Sequence, residues 1–164
     1  MTTLRALIKR TEGAAAAEMA LMLPLLMALL FGGFEAGHYL YNEQKIVQAV
    51  REGARYAGRR PFADFPCGGS INAAAETAIK TVTRTGTLTG TTPRIRNWLA
   101  SDITVTYTCN AGYATQGIFK GNIGGAPIVT VSATATYPTL FSSLGVFANG
   151  IRVRSSSQAV VNGI

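Results

Sequence analysis

Residues 14–34 read AAAAEMALMLPLLMALLFGGF, and Glu18 is the only charge among them. A bilayer span needs about 20 mostly apolar residues, so this run is long enough to cross. Leu21, Leu23, Leu25, Leu26, Leu29, Leu30, Phe31 and Phe34 each favour insertion by about 0.3–0.6 kcal/mol. Arg5, Lys9 and Arg10 precede the run, with no acid before Glu12. The positive-inside rule then predicts a cytoplasmic N-terminus, with the rest of the chain on the far side. The competing reading is a secretory signal, cut near the small residues around Gly37. Two features oppose it: a carboxylate inside the apolar core, and a helical pattern that does not stop where the run ends.

Beyond Gly37, Ile46, Val47, Val50, Ala54 and Ala57 follow the i, i+3, i+4, i+7 spacing of a helix stripe, while Glu43, Gln48, Arg51, Glu52, Arg55 and Arg59 fall largely off it. Gly58 and Pro61 end the pattern. One helix is therefore predicted from about Ala14 to Ala57. It would be roughly 65 Å long, about twice the hydrocarbon thickness. Its upper half must project into water with an apolar face to cover.

The remainder supplies the cover. Phe62 to Gly69 reads as loop, Ser70 as a helix N-cap, and Ala74, Ala75, Ala78, Ile79 and Val82 as the stripe of a short helix closed by Gly86. From Ile103 the period becomes two: Ile103, Val105, Tyr107 and Cys109 alternate with threonines. Ile128–Tyr137 and Ile151–Val161 are predicted as two further strands, with a helical turn at Leu140–Leu144 between them. About three antiparallel strands resting on the upper half of the long helix make an α+β layer pair. Cys67 and Cys109 both fall on the exported side, where an oxidising compartment permits a disulfide. They are expected to pair; two unpaired small hydrophobes are the alternative.

Charged residues are 14% of the chain and hydrophobic ones 48%, which excludes a disordered polar chain. Material for catalysis is scarce. His38 is the single histidine and reads as an interfacial side chain. Two cysteines and one histidine cannot close a zinc site without an acid. Gly121, Gly124 and Gly125 lack the Lys-Ser/Thr of a phosphate loop, and no nucleophile elbow occurs. No enzyme activity, cofactor or metal is expected. The net charge of +7 raises nucleic acid, with Arg51, Arg55, Arg59 and Arg60 in one group and Arg94, Arg96 and Trp98 in another. On the predicted topology both groups face away from the cytoplasm, so acidic lipid or an acidic protein surface is the expected partner instead of nucleic acid.

Glu18 and Pro24 are the misfits in the run. A carboxylate at the centre of a membrane helix costs about 2.5–3.5 kcal/mol and marks a functional partner. Its alternative is simple solvation in the headgroup zone. Pro24 removes one backbone hydrogen bond and favours a kink. A basic leader, Gly13, Ala14 to Ala17, Glu18 and an apolar helix resemble the processing site of type IV prepilins. More narrowly, TEGAAAAEMALMLPLLMALLFGGFEAGHYLY (11–41) followed by AVREGARYAG (49–58) resembles the TadE-like proteins, pseudopilins or minor pilin-like proteins of the tight-adherence (Flp, type IVc) pilus. Met19 departs from the family pattern, where an aromatic residue more usually follows the acid.

The resemblance implies cleavage by a prepilin peptidase, a membrane aspartyl protease, between Gly13 and Ala14. Glu18 would then meet the new ammonium, commonly that of a neighbouring subunit. Removing Arg5, Lys9, Arg10 and Glu12 with the leader takes the net charge from +7 to +5. Pro24 would loosen the helix for packing, and Gly32 and Gly33 would let pilin-like helices approach closely or simply add flexibility. The expected organisation is a leader (1–13), a transmembrane half-helix (14–36), an exported amphipathic half (37–58) and a small periplasmic α+β domain (62–164). The implied protein is a single-pass inner-membrane pseudopilin that assembles with other pilins and platform proteins into a pilus for adhesion and secretion. Its rivals are an uncleaved periplasmic scaffold and a secreted binding domain behind an ordinary signal peptide.

Overall fold

The computed structural model describes residues 11–141 and 150–163. The first ten residues of the leader and most of the turn predicted at Leu140–Leu144 lie outside them. The chain forms helix α1 (Thr11–Gly58), helix α2 (Ala73–Thr85) and strands β1 (Ile103–Asn110), β2 (Ala126–Thr136) and β3 (Arg152–Val160). The sheet is an antiparallel meander in the order β1-β2-β3. This is the α+β layer pair expected from the sequence, a long helix with a small three-stranded sheet.

Helix α1 has 48 residues and runs without interruption through Pro24. At 1.5 Å per residue it is about 72 Å long. The predicted stripe is the buried one: Ile46, Val50, Ala54 and Ala57 are in the core, together with Ala49, while Val47 is half-buried. Opposite them the register aligns Ile103 with Ala133, Val105 with Val131 and Tyr107 with Val129. It also sets Val131 against Ser157, Ala133 against Ser155 and Ala135 against Val153. Alternation puts these residues on the helix side and leaves Thr104, Thr106 and Thr108 in solvent. The small inward serines of β3 suit a strand that lies close beneath a helix.

Helix α2 packs beside α1 over the β1 side of the sheet. Its N-cap is Asn72, not Ser70: the Asn72 Oδ1 accepts from the N–H groups of Ala74 at 2.9 Å and Ala75 at 3.4 Å. Asparagine caps as well as serine does, and it stands at the position whose side chain reaches those orphan donors. Gly86 ends the helix in the left-handed conformation at φ 87°, as expected.

The two helices touch at Gly53. A Cβ there would stand 2.0 Å from the Thr83 Oγ1, 3.2 Å from the Thr83 Cβ and 3.5 Å from the Val131 Cγ1. Thr83 is fully buried and its hydroxyl donates to the Ile79 carbonyl at 2.8 Å. Rotating the hydroxyl away would break that bond and leave the Cβ contact tight. Gly53→Ala gains about 1 kcal/mol of helix propensity but meets an overpacking cost of about 1–3 kcal/mol. A net loss is expected in the unfolding midpoint read by the single, buried Trp98, with Thr83→Ala recovering part of it. A raised midpoint in Gly53→Ala would show that propensity wins.

Candidate functional site

The lower half of α1 stands apart from the domain. Met19, Leu21, Leu23, Leu25, Leu26, Leu29 and Leu30 are all exposed, Leu21 at 79%. An 18-residue window of the helix has a mean hydropathy of 2.1, and none of it is buried within the chain. An apolar cylinder of this size is stable only against lipid or other apolar helices. Gly13, Ala14 and Glu18 lie on the first turns of the helix, all exposed. Among the described residues Glu18 makes no hydrogen bond or ion pair. One turn separates it from Ala14, so an ammonium at residue 14 falls on the same helix face. The Gly13–Ala14 bond itself is helical. A Cβ at Gly13, Gly32 or Gly33 would meet nothing within 4 Å, so these surfaces are open to a neighbour.

Where α1 leaves the apolar run, the chain after β2 closes a collar around it. The Glu35 side chain is buried, and its Oε1 and Oε2 accept from the Leu140 N–H at 3.3 and 3.1 Å. The Tyr137 hydroxyl donates to the Glu35 carbonyl at 3.1 Å. Since that hydroxyl proton is used, the His38 Nδ1, 3.0 Å from the Tyr137 Oη, is the donor between those two. The His38 Nε2 then accepts from the Asn42 Nδ2 at 3.2 Å, and the same Nδ2 donates to the His38 carbonyl at 2.8 Å. Phe31 and Phe141 meet edge to face at 5.0 Å, and Tyr39 and Tyr137 at 5.3 Å. His38 is thus a structural link between α1 and the chain that leaves β2.

Burial first, then the hydrogen bond and charge of Glu35, pushes the Tyr137 phenol above its ordinary value. The raised folded value means that this contribution to stability is complete below the unfolded pKa of about 10 and is lost as pH climbs through the folded one. Above pH of about 10 the unfolding midpoint of the wild type should therefore fall more steeply than that of Tyr137→Phe. Parallel pH slopes would show that Tyr137 carries no such linkage.

The Cys67 and Cys109 sulfurs are bonded, with a Cα–Cα distance of 5.9 Å, and tie the loop after α1 to the end of β1. Of the two basic groups, the second does not form a stacking surface. Trp98 is 2% exposed and its Nε1 donates to the Thr134 carbonyl at 3.0 Å, while Arg94 forms an ion pair with Glu52. An isolated tryptophan flanked by arginines gives no local sign that it belongs to the core, because its partners come from β2. Among the described residues no group of three His, Cys, Asp or Glu could hold a metal.

Residues 13–55 match the family model described as TadE-like protein. The match begins at the glycine before the alanine run and ends within the buried upper stripe of α1. It points to a pilus-associated membrane protein. No curated protein and no solved structure matches the chain.

Proposed function

We propose, from the TadE-like match over residues 13–55, that this chain is a pseudopilin-like structural protein cut between Gly13 and Ala14 by a prepilin peptidase. It is anchored in the bacterial inner membrane, N-terminus inside and domain outside. It joins other pilin-like subunits and platform proteins of a tight-adherence pilus. The observation that carries the reading is an exposed apolar lower half of α1 that bears, among the described residues, one unpartnered carboxylate five residues after a glycine. The helix supplies the anchor and the packing surface. The carboxylate supplies a demand for a cation that cleavage creates. Pro24, Gly32 and Gly33 lie on different sides of the helix, and the two glycines allow close approach of neighbouring helices.

Cleavage requires the first turn of α1 to open, because a protease takes its scissile bond extended. Intact mass and N-terminal sequencing, with and without a co-expressed prepilin peptidase, test the reading. A mature chain starting at Ala14 only when the peptidase is present is the expected result. An intact N-terminus in both cases would make the protein a permanent anchor, and a start after about Gly37 a signal-peptide product.

A further inference from the structure

We propose that the two ends of the connection after β2 form a second membrane contact, in which Leu140, Phe141 and Ile151 enter the headgroup–acyl boundary of the outer leaflet beside α1. The inference rests on the anchored reading of α1 and adds to it a lipid-facing surface on the exported domain.

The argument is one of height. Glu18 and Glu35 bracket the apolar run and lie about 26 Å apart along the helix axis at 1.5 Å per residue. That distance is close to the thickness of a hydrocarbon layer of about 30 Å. Glu35 therefore marks the outer boundary, and Phe31 lies about 6 Å inside it. The Phe141 ring packs on Phe31, so the domain's own chain descends below the level of Glu35. The descent is fixed by the Leu140 N–H on the Glu35 carboxylate, which points back toward the membrane as side chains on a helix do. The base of the connection is fixed by the Tyr137 N–H, which donates to the Ile151 carbonyl at 2.8 Å.

What is brought to that height is apolar. Leu140 is 48% and Ile151 42% exposed. Between Ile151 and α1 runs an open groove of about 370 Å³, lined by Glu35 beside Gly32, Ala36, Tyr39, Leu40, Tyr137 and Ile151, while Leu140 borders a separate cavity with Arg94 and Arg96. Gly32 sets the lower end of the groove within the apolar run, so lipid that surrounds the helix reaches it. Tyr39 and Tyr41 stand about 6 and 9 Å above Glu35, in the interfacial zone where aromatic side chains are favoured. Interfacial segments bury their apolar side about 5–10 Å into this boundary, which matches the descent of Phe141.

The test places one bimane-labelled cysteine at a time in the full chain, reconstituted in phosphatidylethanolamine–phosphatidylglycerol vesicles. The native cysteines are bonded, so labelling needs no reduction. Leu140→Cys and Ile151→Cys report the connection. Met22→Cys reports the span, and Ile123→Cys, 87% exposed on the β1–β2 connection, reports the aqueous side. Buried Trp98 emission verifies the fold of each variant. Lipids brominated near the top of the acyl chain should remove most of the emission at 140 or 151 and leave 123 unchanged, while aqueous iodide should do the reverse. If 22 is quenched by lipid but 140 and 151 behave like 123, the second contact is refuted and the anchor stands. If 22 also behaves like 123, the anchored reading fails, and the second contact with it.

Discussion

Glu18→Ala is expected to leave cleavage after Gly13 intact and to remove the chain from assemblies. The peptidase must recognise the glycine and the small residues around it, and none of these changes. Insertion should even improve, because a carboxylate in the span costs up to about 2.5–3.5 kcal/mol. What disappears is the partner of the new ammonium. Breaking one side of a desolvated pair costs about 3–5 kcal/mol, because the remaining charge is left unpaired, and that is more than two orders of magnitude in association. Cleaved monomer should therefore accumulate in the membrane while cross-linked or sheared polymer falls below detection. Glu18→Gln should behave likewise, since it keeps the shape and loses the charge. If Glu18 is merely solvated at the inner headgroups, both variants will assemble as the wild type does, and the pairing role is refuted.

The parts of the structure that repeat along the chain were legible in the sequence, and the parts that join distant segments, the Cys67–Cys109 pairing apart, were not. The apolar run and the Ile46, Val50, Ala54 stripe each repeat at helical spacing. The threonines of β1 alternate with its inward residues, and Gly86 punctuates α2. These follow from local periodicity. Glu35 reads in sequence as one more acid beyond the span, because its partner is the backbone N–H of Leu140, 105 residues on. His38 looked solitary for the same reason: its link is Tyr137, 99 residues away. Gly53 sits in a helical stretch where a glycine weakens the helix, and only the approach of Thr83 explains it. The N-cap fell between two good capping residues two positions apart, and backbone geometry chose Asn72. Of the candidate assembly residues, Gly13, Glu18 and Gly33 are exposed in the single chain and Gly32 is partly so, as the proposed packing with other subunits requires.

Removing the Cys67–Cys109 bridge with Cys67→Ala and Cys109→Ala together should lower the stability of the exported domain by about 3–4 kcal/mol, the chain-entropy value for a loop of this length. The sequence separation of 42 makes the closed loop long, so the unfolded chain gains much freedom once the bond is gone. Against a typical total of about 5–15 kcal/mol for a domain, the loss is large. Several contacts remain around the site to hold a folded state. The Tyr107 hydroxyl lies 2.5 Å from the Pro66 carbonyl and 3.0 Å from that of Gly69, and the Phe65 and Tyr107 rings meet edge to face at 5.7 Å. The variant is therefore expected to fold and to unfold early. Denaturant titration followed by Trp98 emission measures the shift, and a midpoint within about 1 kcal/mol of the wild type would show that these contacts, not the bond, fix β1 to the loop. The same pair of sulfurs also reports topology. A structural disulfide persists where the compartment is oxidising. In growing cells the full chain should show no alkylatable thiol without reduction. A chain that begins after the apolar run, and so stays in the cytoplasm, should show two. Two free thiols in the full chain would place residues 67 and 109 on the reducing side and reverse the orientation proposed for α1.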